Sequence, residues 1–250
     1  NISSLTQIAS VVAQLKATHD TSAGTGADRN LAGVGMNLNL APVLDVYRQA
    51  GNFDDQFGRS YSSDPAIAAE CGAAFVTAQQ RLGIAATAKH FPGLGAATAA
   101  QNTDLGPVTL DVPLGDLRSI DERPFRSAIA ARVRLVMTSW AAYPALDRKL
   151  PAGLSPAIVG GELRRRLRFG GVTITDALEA GAIAGFGTPA QCGVLAAQAG
   201  MDVLLCSARD VSEGQDTVAA LAGALQRRAL DPGQFDRALW RVLALRNSLT

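Results

Sequence analysis

Residues 84–91 read IAATAKHF, and this stretch decides the fold class. A short, nearly unbroken run of small apolar residues ends in two basic side chains, Lys89 and His90. A run of that length without polar alternation fits a strand covered on both faces. Working outward, Asp64-Pro65 opens a long helix to about Leu82, with Asp as cap and Pro in the first turn. Further strand-like runs fall at 35–46, 135–139, 172–175 and 202–206. Helical patterns cover 124–131 with a cap near Asp121, 156–167, 189–199, 211–228 and 232–249. A first helix is read over Leu5–Leu15, followed by a polar loop over 16–30. Strands alternate with helices and no hairpin signal intervenes, which predicts parallel βα units. Right-handed crossovers then build an open doubly wound sheet or a closed barrel. No GxGxxG or GxxxxGK[ST] stands at a strand–helix turn, which argues against a nucleotide fold.

The chain of 250 residues is 48% hydrophobic, enough for a large core and too much for a disordered chain. Twenty-three basic residues balance 22 acidic ones, so no basic excess points to nucleic acid. No internal repeat or linker composition divides the chain, and residues 1–250 read as one domain. The cysteines Cys71, Cys192 and Cys206 lack metal or redox spacing and read as buried, inert thiols. No apolar run approaches the ~18 residues of a membrane span. The chain starts at Asn1 without an initiator Met, and a removed or omitted leader is expected.

In parallel βα folds the working groups gather at the carboxyl ends of strands. Here those ends carry Asp45, Lys89-His90, Thr138-Ser139, Asp176 and Ser207. Each has an ordinary structural reading: Asp176 as a helix cap, Asp45 as partner of Arg59, Lys89 as a solvated charge, His90 as a structural hydrogen bonder. Jointly they predict a polar pocket. No metal-ligand spacing is visible.

The segments NLNLAPVLDV (37–46), FGRSYSSDP (57–65), AKHFPGLG (88–95) and GGVTITDALEAGAI (170–183) resemble, in order, the catalytic barrel of family 3 glycoside hydrolases. The resemblance is strongest to the bacterial β-N-acetylglucosaminidase (NagZ-type) branch and spans nearly the whole chain. It implies a (β/α)8 barrel and a retaining exo-acting β-N-acetylhexosaminidase. It also implies hydrolysis through a glycosyl-enzyme ester on Asp176, which matches the family nucleophile. Arg59, Lys89 and His90 match sugar-hydroxyl binders, and Asp45 is expected to orient them. No cofactor is implied. The expected partner is a small chitin- or peptidoglycan-derived carbohydrate. A monomer is expected, cytoplasmic, envelope-bound or secreted in a bacterium.

Two departures from the pattern stand out. The family branch carries an Asp-Ser-His acid/base segment after KHFPG, whereas this loop reads GLGAATAAQNTDLGP. Aligned on Asp104-Leu105, the dyad positions fall near Ala100 and Asn102, and neither side chain exchanges a proton near neutral pH. Asp104 is the titratable group of the loop and the acid candidate, with Glu179 a weaker one. A catalytically weakened member that binds glycan or a partner is the competing expectation. The second departure is a missing acidic Asp-x-Glu-Gly-Gly-type front motif. Five strands are legible where a barrel has eight, so front strands are expected to be missing from, or poorly patterned in, the sequence.

Overall fold

The computed structural model describes residues 21, 22, 24–26 and 29–249. The helix expected over 5–15 lies outside them. The polar loop expected over 16–30 is helical where it is described, at 21–22, 24–26 and 29–33. Close packing explains the difference. At Gly24 a side chain would begin 3.2 Å from Ala78 Cβ and 3.2 Å from the Phe75 carbonyl oxygen. Glycine there lets the segment lie directly on the following helix, and tertiary contact overrides weak local propensity.

Five strands form one parallel sheet in chain order: β1 (Leu38–Asn39), β2 (Ala85–Phe91), β3 (Leu135–Thr138), β4 (Val172–Ala177) and β5 (Val203–Leu205). The longer α-helices among the described residues are α1 (Pro65–Arg81), α2 (Arg123–Ala130), α3 (Pro189–Ala199), α4 (Val211–Gln226) and α5 (Pro232–Asn247). A π-type helix, Ala157–Arg166, connects β3 to β4 where an ordinary helix is expected from the sequence. Among the described residues β1 and β5 each pair on one side only, so the sheet is a curled half-barrel. The described residues supply five of the eight strands of the expected barrel, the number legible in the sequence.

Helix starts follow the local chemistry. The Asp64 carboxylate accepts a hydrogen bond from the Ala66 N–H at 2.7 Å, and Pro65 needs no donor partner. Thr188 and Gln191 form a reciprocal capping box at α3. The expected cap at Asp121 is not one. Helical turns over Leu114–Asp116 and Leu117–Asp121 precede it, so the chain is already coiled there. Its buried carboxylate accepts from Arg48 Nη2 at 2.5 Å instead.

Strand alternation divides the core into two faces. Ala86, Ala88 and Val136 pack with Val76, Phe125 and Ala128 beneath α1 and α2. Ala85, Leu135, Met137, Val172 and Ile174 form the opposite face, against which Val242 and Leu245 of α5 pack. Cys71 and Cys192 are buried as expected, whereas Cys206 is only half-buried.

Candidate active site

Because every strand runs the same way, all carboxyl ends meet at one rim. Segment 43–45 runs beside the end of β2: Val43 bridges to Lys89, and the Leu44 N–H donates to the Lys89 carbonyl at 2.6 Å. Strict alternation would send Lys89 and His90 to opposite faces. The pairing of β2 with β3 slips between Ala88 and Phe91, and both residues reach the same site.

The Asp45 carboxylate is fully buried and accepts from three donors. Oδ2 lies 2.7 Å from His90 Nδ1, while Oδ1 accepts from the Leu94 N–H at 2.6 Å and the His90 N–H at 3.2 Å. Burial works to raise its pKa, but the charge of His90 and these hydrogen bonds prevail and hold it below the usual carboxylate range. His90 shifts the other way. Burial disfavours its charge, yet Asp45, Asp176 and Asp54 together hold it above the ordinary histidine value. Its Nε2 faces Asp176 Oδ2 at 4.0 Å. Asp176, at the end of β4, is partly exposed, and its Oδ1 accepts from the Ala177 N–H at 2.9 Å.

Arg59 does not pair with Asp45. Its Nη1 lies 3.1 Å from Oδ1 of Asp54, a residue that sequence reasoning missed. The only signal was the first aspartate of NFDDQFGRS, five residues before Arg59. Asp54 is completely buried. Burial first, then the charge of Asp45, push its pKa up to about 7 against the pull of His90 and Arg59. Lys89 is half-buried; burial and Arg59 depress its pKa while Asp176, Asp45 and Asp54 oppose the shift. Arg59, Lys89, His90 and Asp176 therefore share one electrostatic neighbourhood. Asp45, Asp54 and His90 bring ligand-type atoms within 4.8 Å of one another. Arg59 Nη1 is the cation beside Asp54 Oδ1, while the Asp45–His90 hydrogen bond ties the other two groups together.

The loop after β2 returns to this neighbourhood through Asp104. Its carboxyl is pushed above the usual range by desolvation and by Asp176, with smaller influences from His90, Arg59 and Glu179. Asn102 serves structure: its Oδ1 accepts from the Asp104 N–H at 2.8 Å. Glu179 is held by Ser207, whose hydroxyl donates to Oε1 at 2.7 Å. Against the opposing effect of burial, these hydrogen bonds keep Glu179 below its usual pKa. Thr138 and Ser139 are buried, and the Ser139 hydroxyl accepts from the Ala141 N–H at 2.9 Å. They support the rim rather than face the cleft.

A buried carboxylate orienting a histidine, with cations and a partly open strand-end aspartate around it, forms a polar cluster at the strand ends of a parallel βα domain. The chain belongs to glycosyl hydrolase family 3: residues 6–245 match the description "Glycosyl hydrolase family 3 N terminal domain". It is 48% identical over 230 residues to an uncharacterized secreted glycosyl hydrolase of Arthroderma benhamiae, covering 92% of this chain and 65% of that protein. It is 37% identical to a beta-hexosaminidase of Stenotrophomonas maltophilia, covering 78% of this chain and 59% of the relative. The chain thus spans roughly three fifths of the length of these two relatives. Among solved structures, a family 3 beta-N-acetylglucosaminidase from a Paenibacillus strain superposes with TM-score 0.89 at 34% identity, over 93% of this chain and 44% of that one. A beta-N-acetylhexosaminidase from Beutenbergia cavernae gives 0.83 at 34% identity, over 93% of this chain and 69% of that one. No described helix is long and apolar enough to cross a membrane.

Proposed function

We propose that this chain carries the catalytic cleft of a retaining exo-β-N-acetylhexosaminidase that removes terminal β-linked N-acetylglucosamine from small glycans. The observation that carries the reading is Asp176 at the end of β4, partly exposed and facing His90 Nε2 at 4.0 Å. Asp176 attacks the anomeric carbon, forming a C–O ester bond as the glycosidic C–O bond breaks. The charge on His90 stabilises the Asp176 carboxylate. Arg59, Lys89 and His90 bind sugar hydroxyls. Asp104 delivers its proton to the departing oxygen, then takes one from the water that hydrolyses the ester. Its raised pKa suits a group that must be protonated before the first step. Glu179, kept ionised by Ser207, is the poorer acid. The fungal relative is named as secreted, which supports action outside the cytoplasm and on chitin-type sugars as readily as on bacterial-wall fragments.

Nitrophenyl N-acetyl-β-glucosaminide leaves without an acid, whereas N,N′-diacetylchitobiose needs one. Asp176→Ala should lower turnover of both by on the order of 10^4-fold or more. Asp104→Asn should lower kcat/KM on the disaccharide by about 10^2- to 10^4-fold and spare the nitrophenyl substrate. The missing loop histidine favours one other reading, a glycan-binding member without turnover. Wild-type protein that binds the sugar but is as inert as Asp176→Ala on the nitrophenyl substrate would establish it.

A further inference from the structure

The loop that carries Asp104 is fastened at both shoulders, largely through its own main-chain carbonyls. On the near side the Gly95 carbonyl accepts from the Arg48 N–H at 3.0 Å and from Asn52 Nδ2 at 2.7 Å. The Phe53 N–H adds a bond to the Ala97 carbonyl at 3.3 Å. On the far side two successive donors opening the turn Gly181–Phe186 meet two successive loop carbonyls. Gly181 N–H donates to the Asp104 carbonyl at 2.9 Å, and Ala182 N–H donates to that of Thr103 at 3.0 Å. The two backbones lie so close that a Cβ on Gly181 would sit 2.5 Å from the Leu105 carbonyl oxygen and 3.0 Å from that of Asp104. Both obstacles are backbone atoms that cannot rotate away. Gly181 follows Asp176 by five residues, on the loop leaving β4.

We propose that Gly181 is a positioning residue: its bare backbone latches the Asp104 loop onto the loop that follows the nucleophile strand and fixes the spacing between acid and nucleophile. This rests on the reading of Asp104 as the acid. A retaining glycosidase tolerates little error there, because its two carboxyl groups must stand about 5–5.5 Å apart. A side chain at 181 must push the 103–105 backbone outward, carrying Asp104 away from the leaving oxygen while Asp176 stays on its strand.

The test measures kcat/KM of the full-length protein on both substrates, since that ratio reports the first, acid-dependent bond cleavage. Gly181→Ala should lower it by about 10- to 100-fold on N,N′-diacetylchitobiose, the usual cost of a misplacement near 1 Å. The nitrophenyl substrate should change by less than about threefold, because that step needs attack by Asp176 but no proton. Should Gly181→Ala fail to fold, Ala182→Pro removes the second latch donor at a first-turn position where proline is tolerated, and the same split is expected. An equal loss on both substrates, or none on either, overturns the latch if Asp104→Asn still discriminates between them. If Asp104→Asn does not discriminate, the assignment of the acid has failed and the latch falls with it.

Discussion

Asp45 and His90 are joined twice, ring to carboxylate at 2.7 Å through Nδ1 and main chain to carboxylate at 3.2 Å. The same carboxylate accepts from the Leu94 N–H at 2.6 Å, so one buried group fixes the histidine ring and the start of the loop behind it. Asp45→Asn puts an NH2 group against at least one of these donors and leaves His90 without its buried counter-charge. It should destabilise the protein by about 3 kcal/mol, the scale for breaking a buried ion pair. Chemical denaturation checks the stability. A loss of sugar affinity exceeding that of Lys89→Ala would show that His90 has also turned.

Stability should fall as pH rises above mildly acidic values. Asp54 is raised from 3.8 to about 7, so the fold favours its protonated form. That contribution is complete below the unfolded value and is lost as pH climbs through about 7. His90, also raised, adds a loss in the same direction above its ordinary range, while Asp45, lowered, weakens the fold only in strong acid. Each proton contributes at most about 1.4 kcal/mol per pH unit. Thermal midpoints from pH 4 to 8 should show the decline, and Asp54→Asn should make it shallower, with buried Asp121, likewise raised to about 7, supplying much of the remainder. An unchanged slope in that variant would mean that Asp54 does not titrate in this window.

Asp202 joins the sheet to the last helix. Its fully buried carboxylate accepts from Arg164 Nη2 at 2.5 Å, from Arg241 Nη2 at 2.6 Å and Nε at 3.0 Å, and from the Thr173 N–H at 2.9 Å. Asp202→Ala leaves two partly buried guanidinium groups uncompensated and should cost about 3–5 kcal/mol. Hydrogen exchange should rise first in the C-terminal half of α5, where Arg241 is a polar anchor, while Gln234 still ties its first turn to the Ala197 carbonyl.

Glu179 influences Asp104 through charge, and in the proposed reading Asp104 supplies the proton. The negative charge of Glu179 helps to raise the Asp104 pKa, after desolvation and Asp176. Glu179→Gln should therefore move the alkaline limb of kcat/KM on the disaccharide to lower pH. A limb that stays in place would argue that a different group supplies the proton.

Local signals were legible where the physics is local. The apolar runs at 84–91, 135–139 and 172–175 became strands, and Asp64, Thr188 and the residues around them capped helices, because a strand pattern or a cap is settled within a few residues. The cap assigned to Asp121 failed because its side chain is claimed by Arg48, 73 residues away in sequence. The described residues within 16–30 are helical where a loop is expected, because Gly24 looks like a loop residue until Ala78 is placed beside it.

The sequence by itself determined the βα order, the polar residues at strand ends and the resemblance that singles out Asp176. Tertiary structure decided what these residues do to one another. Parallel register and a slip in β2 gather Lys89, His90 and Asp176 at one rim, and a buried environment turns Asp54, one aspartate of an unremarkable pair, into a group with a pKa near neutrality. It also decided that Arg59 is held by Asp54 and that Gly181 must be bare backbone. Desolvation and close main-chain contact exist only once distant segments pack, so no reading of neighbours along the chain contains them.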